Sequence, residues 1–147
     1  MNILRYITSI SDTSQLNTFY KVLFIITNFI YFIPIILYGI NEITVISFVI
    51  GLISIIFHTC QCSNHTSLES KVMIYFDVIF SISLFLYVLY KMHKELPLWW
   101  YLLVIISIII FLFGSSKYGS HIYILLHSIW HILTGILLIY VSHIYTQ

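Results

Sequence analysis

Two histidines four residues apart, His127 and His131, lie in a long apolar tract, and a third, His58, lies in another. On a helix, residues i and i+4 share a face, so His127 and His131 can aim both imidazoles at one ion. Three protein nitrogens plus a water is the ligand pattern of a catalytic zinc, whereas structural zinc is closed by four protein ligands. Zinc lowers the pKa of its water to about 7, which supplies a nucleophile at neutral pH. Asp77 is expected to hold that water or a ligating imidazole, or to act as general base. Ser54, one turn before His58, is expected to orient the water or to donate to a developing oxyanion. Each motif alone has a plainer meaning. The two histidines can be packing glue, Asp77 a neutral buried carboxyl, and Ser54 a helix-contact residue. Their combination is what points to zinc.

Such residues must be positioned by elements suited to lipid. Of 147 residues, 61% are hydrophobic and only 7% charged, with a mean hydropathy of +1.04. A soluble domain carries about 25% charged residues, so the outer face of this chain must meet hydrocarbon. The net charge of +1 offers no electrostatic footprint for nucleic acid. Apolar tracts long enough to cross a bilayer as helices, and no strand-like alternation, predict an all-α integral membrane protein: a compact bundle in a single transmembrane domain. The expected spans are about 19–39, 43–61, 70–91, 97–113 and 119–144. Gly39 to Glu42 reads as a tight turn, Gln61 to Glu69 and Lys91 to Pro97 as polar loops, and Gly114 to Gly119 as a Gly/Ser turn. Trp99, Trp100 and Tyr101 are expected to anchor at the interface. No cleavage site follows the first apolar run, so that run is expected to be a retained span. Five spans place Arg5, Lys21, Lys71 and Lys117 on one side and Lys91 and Lys94 on the other. The positive-inside rule then favours the first side as cytoplasmic. Cys60 and Cys62 lie too close in sequence to bond readily to each other.

The polar residues inside these spans fall in stripes. Ser47, Gly51, Ser54 and His58 are spaced i, i+4, i+7 and i+11. Asp77 and Ser81 share a face, and His127, His131, Thr134, Gly135 and Leu138 form a third stripe. The fourth span has only Ser107 within it and reads as lipid-facing. Ionisable groups inside a span are costly and usually face a functional interior. Spans three and five run opposite to span two, which brings His58, Asp77, His127 and His131 to the same leaflet. One convergent site is therefore predicted.

The wording around these residues resembles the CREST superfamily of membrane proteins, which includes alkaline ceramidases, adiponectin/progestin receptors and myomaker-like proteins. S-I-I-F-H-T-C (Ser54 to Cys60), Y-F-D-V-I-F-S-I-S (Tyr75 to Ser83) and H-S-I-W-H-I-L (His127 to Leu133) carry the likeness. They follow the pattern S-x-x-x-H, then Asp, then H-x-x-x-H, and are most similar to the myomaker-like branch. The resemblance implies zinc on His58, His127 and His131, with Ser54 and Asp77 beside it. It also implies hydrolysis of a lipid amide or ester, as in the ceramidase branch. That family has seven core helices, so this chain would be a shortened member. One span instead of three separates the Asp helix from the last helix, which preserves its direction. Gln61 stands where the myomaker-like branch often has an acidic residue.

Two functions follow as expectations. The first is a zinc-dependent intramembrane hydrolase acting on membrane lipids. The second is a non-enzymatic membrane-remodelling or fusion protein in which zinc staples three helices. Haem held by two of the histidines and a small proton-conducting pore are further readings of the same residues. So small a bundle leaves helix surface for a homo-oligomer.

Overall fold

The computed structural model describes residues 10, 12, 13, 16–115 and 120–147. Arg5 and Lys117, two of the cations behind the expected sidedness, lie outside these residues. The described chain is all helical, and five of its segments are long and apolar enough to cross a membrane. The first, Thr18–Tyr38, consists of α1 (Thr18–Ile26), a 3₁₀ stretch (Thr27–Phe32) and α2 (Ile33–Tyr38). The others are α3 (Glu42–Asn64), α4 (Leu68–Met92), α5 (Leu98–Ser115) and α6 (His121–Tyr145).

Each start has a local cause. Asn17, Ser67 and Ser120 accept hydrogen bonds from the first-turn backbone N–H groups of α1, α4 and α6. Asn41 and Thr44 cap α3 reciprocally. Gly39 turns the chain between α2 and α3 at φ 69°, a left-handed conformation that glycine adopts without a Cβ clash. The first span is not the uninterrupted helix its apolar run suggests. Pro34 has no N–H to give to the carbonyl of Ile30. The chain winds more tightly before it, and Ile33 N–H takes that carbonyl instead. Asn28, fully buried, donates from Nδ2 to the carbonyls of Phe24 (2.9 Å) and Ile25 (3.3 Å). Polar backbone left bare in lipid costs several kcal/mol per group, so these bonds let the irregular stretch sit at membrane depth.

The 3₁₀ stretch packs against both α3 and α6; α4 lies on α3, and α5 lies on α6. The stripes read from the sequence are the seats for the first span. Ser47 donates to the Tyr31 carbonyl at 2.8 Å, and Tyr31 Oη pairs with Thr134 Oγ1 at 2.6 Å. A Cβ on Gly135 would clash with the Ile30 side chain, and one on Gly51 would stand 2.9 Å from Tyr31 Cβ. Because Tyr31 Cβ moves only with its backbone, Gly51→Ala is expected to cost about 1–3 kcal/mol by overpacking. Thermal unfolding in detergent checks this, and an unchanged midpoint would show that the contact is not tight.

Two boundaries and one anchor differ from expectation. α3 continues to Asn64, so Gln61 is a buried helical residue and not the start of a loop. Gly114 and Ser115 complete α5, while 116–119 lie outside the described residues. Trp100 is a core residue, stacked on Phe85 at 6.3 Å, whereas Trp99 is 44% exposed and meets Tyr140. α5 is largely exposed, as a lipid-facing span should be, but it also buries Trp100, Ser107, Gly114 and Ser115. At the bundle end away from the histidines, Glu42 accepts from Tyr87 and Tyr145 and pairs with Lys91 at 3.4 Å. This clasp ties α3, α4 and α6 together.

Candidate metal centre

His58 projects from α3, and His127 and His131 project from α6, one turn apart as the i, i+4 spacing requires. One ring nitrogen from each lies within 4.8 Å of the other two, close enough to hold a metal ion. His58 and His131 are 0% exposed and His127 is 6% exposed. The three histidines therefore come from two helices, α3 and α6, and not from the three that a zinc staple was expected to join.

Two of these rings have a partner on Nδ1. His58 Nδ1 meets Gln61 Oε1 at 3.1 Å, and His131 Nδ1 meets Thr27 Oγ1 at 3.3 Å. Nε2 of all three histidines is buried without a hydrogen-bond partner. Almost every buried polar side-chain atom in a protein finds a partner, so three orphaned imidazole nitrogens in one place call for a shared one. Nitrogens around one tetrahedral zinc stand about 3.3 Å apart, a spacing that small ring rotations would reach.

Aromatic rings close one side of this cluster. Phe24 lies 3.9 Å, 5.0 Å and 6.1 Å from the ring centres of His58, His127 and His131. Leu16, Tyr123 and Ile124 pack around Phe24, and Thr13 donates to the Gln61 carbonyl at 3.1 Å. The chain entering the first span thus covers the near end of the bundle. Asp12 and His65 pair beyond it at 3.3 Å.

The other side is open. A cavity of about 170 Å³ is lined by Asp77 and His127 together, with Phe57, Phe111, Ser115 and Tyr123 around them. Asp77 is buried with Oδ1 unpartnered, and Ser54 lies beside its carboxyl. A second cavity of about 250 Å³ lies alongside and shares Ser81, Ile82 and Trp130 with the first. Its wall is almost wholly apolar, with Leu84, Phe85 and Val88 of α4 facing Trp100 and Val104 of α5.

The predicted residues therefore fall into two groups. His58, His127 and His131 form a cluster close enough to hold a metal ion. Asp77 and Ser54 form a pair that meets it across the smaller cavity. Neither Asp77 nor Ser54 orients a ligating ring, contrary to one of the expected roles of Asp77. That position belongs to Gln61 and Thr27. Thr27 gave no signal in the sequence, because a single Thr within a span commonly bonds to its own helix backbone. Phe24 was equally silent among many apolar residues. His121 stacks on Tyr20 at 4.3 Å, away from the cluster. Comparisons with family models, curated proteins and solved structures return no match to this chain.

Proposed function

We propose that the chain is a bilayer-embedded hydrolase of a lipid amide or ester that depends on zinc held by His58, His127 and His131. The observation that carries this reading is the convergence of three unpartnered, buried nitrogens beside a cavity that Asp77 shares. Imidazole nitrogen suits zinc, and a three-nitrogen set leaves one position for water. Bound there, zinc would lower the pKa of that water to about 7 and polarise a carbonyl.

The remaining work falls to residues of the chain. Asp77 takes the proton of the water as its oxygen adds to the carbonyl carbon. It returns the proton to the amine or alcohol that leaves when the C–N or C–O bond breaks. Ser54, beside the Asp77 carboxyl, holds that group toward the cavity, a role that replaces its expected one as oxyanion donor. The larger apolar cavity takes the acyl chain. α4 and α5 each pack on a different helix, so this cavity lies where a lipid would enter sideways from the bilayer. Phe24 and its neighbours keep water from the opposite side, where the rings need a dry surround. This is the chemistry implied by the resemblance to the ceramidase branch, carried by five spans.

The test is lipid turnover by the purified protein in vesicles against His131→Ala. Loss of nearly all turnover in the variant is expected, and equal rates would discard the proposal.

The complete burial of His58 and His131 favours a second reading, in which zinc ties α3 to α6 in a non-enzymatic membrane-remodelling or fusion protein. That reading predicts that chelation lowers the unfolding temperature while every lipid species stays unchanged.

A further inference from the structure

We propose that Thr27 and Gln61 are positioning residues of the metal centre, fixing the ring protons of His131 and His58 on Nδ1 and leaving both Nε2 atoms bare for the ion. The consequence for zinc rests on the metal reading above; the tautomers themselves do not.

The argument follows the hydrogens. An amide oxygen carries none, so the contact of 3.1 Å between Gln61 Oε1 and His58 Nδ1 requires the ring to donate. Thr27 has one hydroxyl hydrogen and two neighbours for it. The Phe24 carbonyl, 3.4 Å away, can only accept, and the Thr27 hydrogen is assigned to it. Thr27 Oγ1 then presents a lone pair to His131 Nδ1 at 3.3 Å, and in that arrangement the ring donates. Two partners on different segments impose the same tautomer. In a neutral imidazole protonated at Nδ1, Nε2 is the acceptor. These nitrogens are buried without a partner, in rings close enough for one nitrogen of each to share an ion.

The first span thereby becomes part of the centre. Thr27 opens the 3₁₀ stretch that Pro34 and Asn28 make tolerable, and its neighbours are clamped by Gly51 and Gly135. Both acceptors are neutral, whereas many zinc-bound imidazoles donate to carboxylates that raise ligand basicity. Neutral acceptors orient the rings without adding that electron density. An ion held there would be left the stronger Lewis acid.

The test uses full-length protein in lipid nanodiscs, with ¹⁵N-labelled imidazoles observed in the metal-free state and zinc affinity measured by chelator competition. The unaltered protein is expected to show Nδ1–H at His58 and His131. Thr27→Val should mix the tautomers at His131 and weaken zinc binding about 10–100-fold, and Thr27→Ser should restore both. Gln61→Leu should do the same at His58, with Gln61→Glu as the restoring variant because it keeps an acceptor oxygen. Thermal midpoints of the metal-free variants separate these effects from misfolding. Nε2–H at both rings, or zinc affinity unchanged in folded Thr27→Val and Gln61→Leu, would overturn the proposal. If the unaltered protein takes up no zinc, the metal reading falls, and the imidazole spectra still decide the tautomers.

Discussion

Purified from cells, the unaltered protein should carry one zinc per chain, and His58→Ala should carry none. His58 is the ligand that α3 contributes; without it the ion would rest on His127 and His131, two adjacent rings of one helix. Zinc bound by four protein ligands in small domains gains about 10–16 kcal/mol. Removing one ligand of three therefore removes several kcal/mol, which raises the Kd by more than about 10³-fold. The folded chain should tolerate the change. His58 loses a bond to Gln61 and its packing on Phe24, but the variant also removes one of three buried ring nitrogens that have no hydrogen-bond partner. Zinc should accordingly raise the unfolding temperature of the unaltered protein, as any ligand of the native state does, and leave that of His58→Ala where it was. Metal analysis with thermal unfolding reads both effects. A full zinc complement in His58→Ala would remove this residue from the centre and the proposed chemistry with it.

How much of this was legible before the fold was seen depended on the kind of signal each residue sends. The ligand cluster was legible because helical spacing and antiparallel direction are geometric. His127 and His131 share a face whatever surrounds them, and an even number of crossings puts His58 and Asp77 at their depth. The small-residue stripes were legible as contact surfaces, although not as seats for the first span in particular. Ser47 and Gly51 could have met any neighbour, and only the fold shows Tyr31 and Phe32 against them. The partition of roles around the ions' ligands was not legible. Gln61, at the end of an apolar run, looked like the first residue of a loop, because hydropathy marks where lipid ends and not where hydrogen bonding ends. Trp100 looked like an interfacial anchor for the same reason; its indole instead lies 3.5 Å from the Leu137 carbonyl inside the bundle. The break in the first span had a visible cause in Pro34, since proline removes a ladder hydrogen bond. Its use, the presentation of Thr27 to His131, depends on which helix lies opposite, and no local pattern records that.

Asp77→Asn should abolish turnover while sparing both the metal and the fold, and this combination separates an enzyme from a staple. Asp77 lies outside the group of ligating atoms that meet within 4.8 Å, so zinc stoichiometry should not change. Its neighbourhood favours the amide energetically. A buried carboxyl with one oxygen unpartnered is a costly group within an apolar span, whereas an amide carries no charge and keeps an oxygen for the Ser54 hydroxyl. The unfolding temperature should therefore hold or rise, as is common when a residue retained for chemistry is replaced. Turnover should fall about 10²–10⁴-fold, the usual contribution of a positioned general base, because an amide cannot take the proton of the attacking water. Were zinc merely a tie between α3 and α6, Asp77 would be one more polar contact on Ser54. Asn would then substitute for it with no change in any measured property. Intact zinc, intact stability and undiminished lipid turnover in Asp77→Asn would leave the cavity between Asp77 and His127 without a catalytic role.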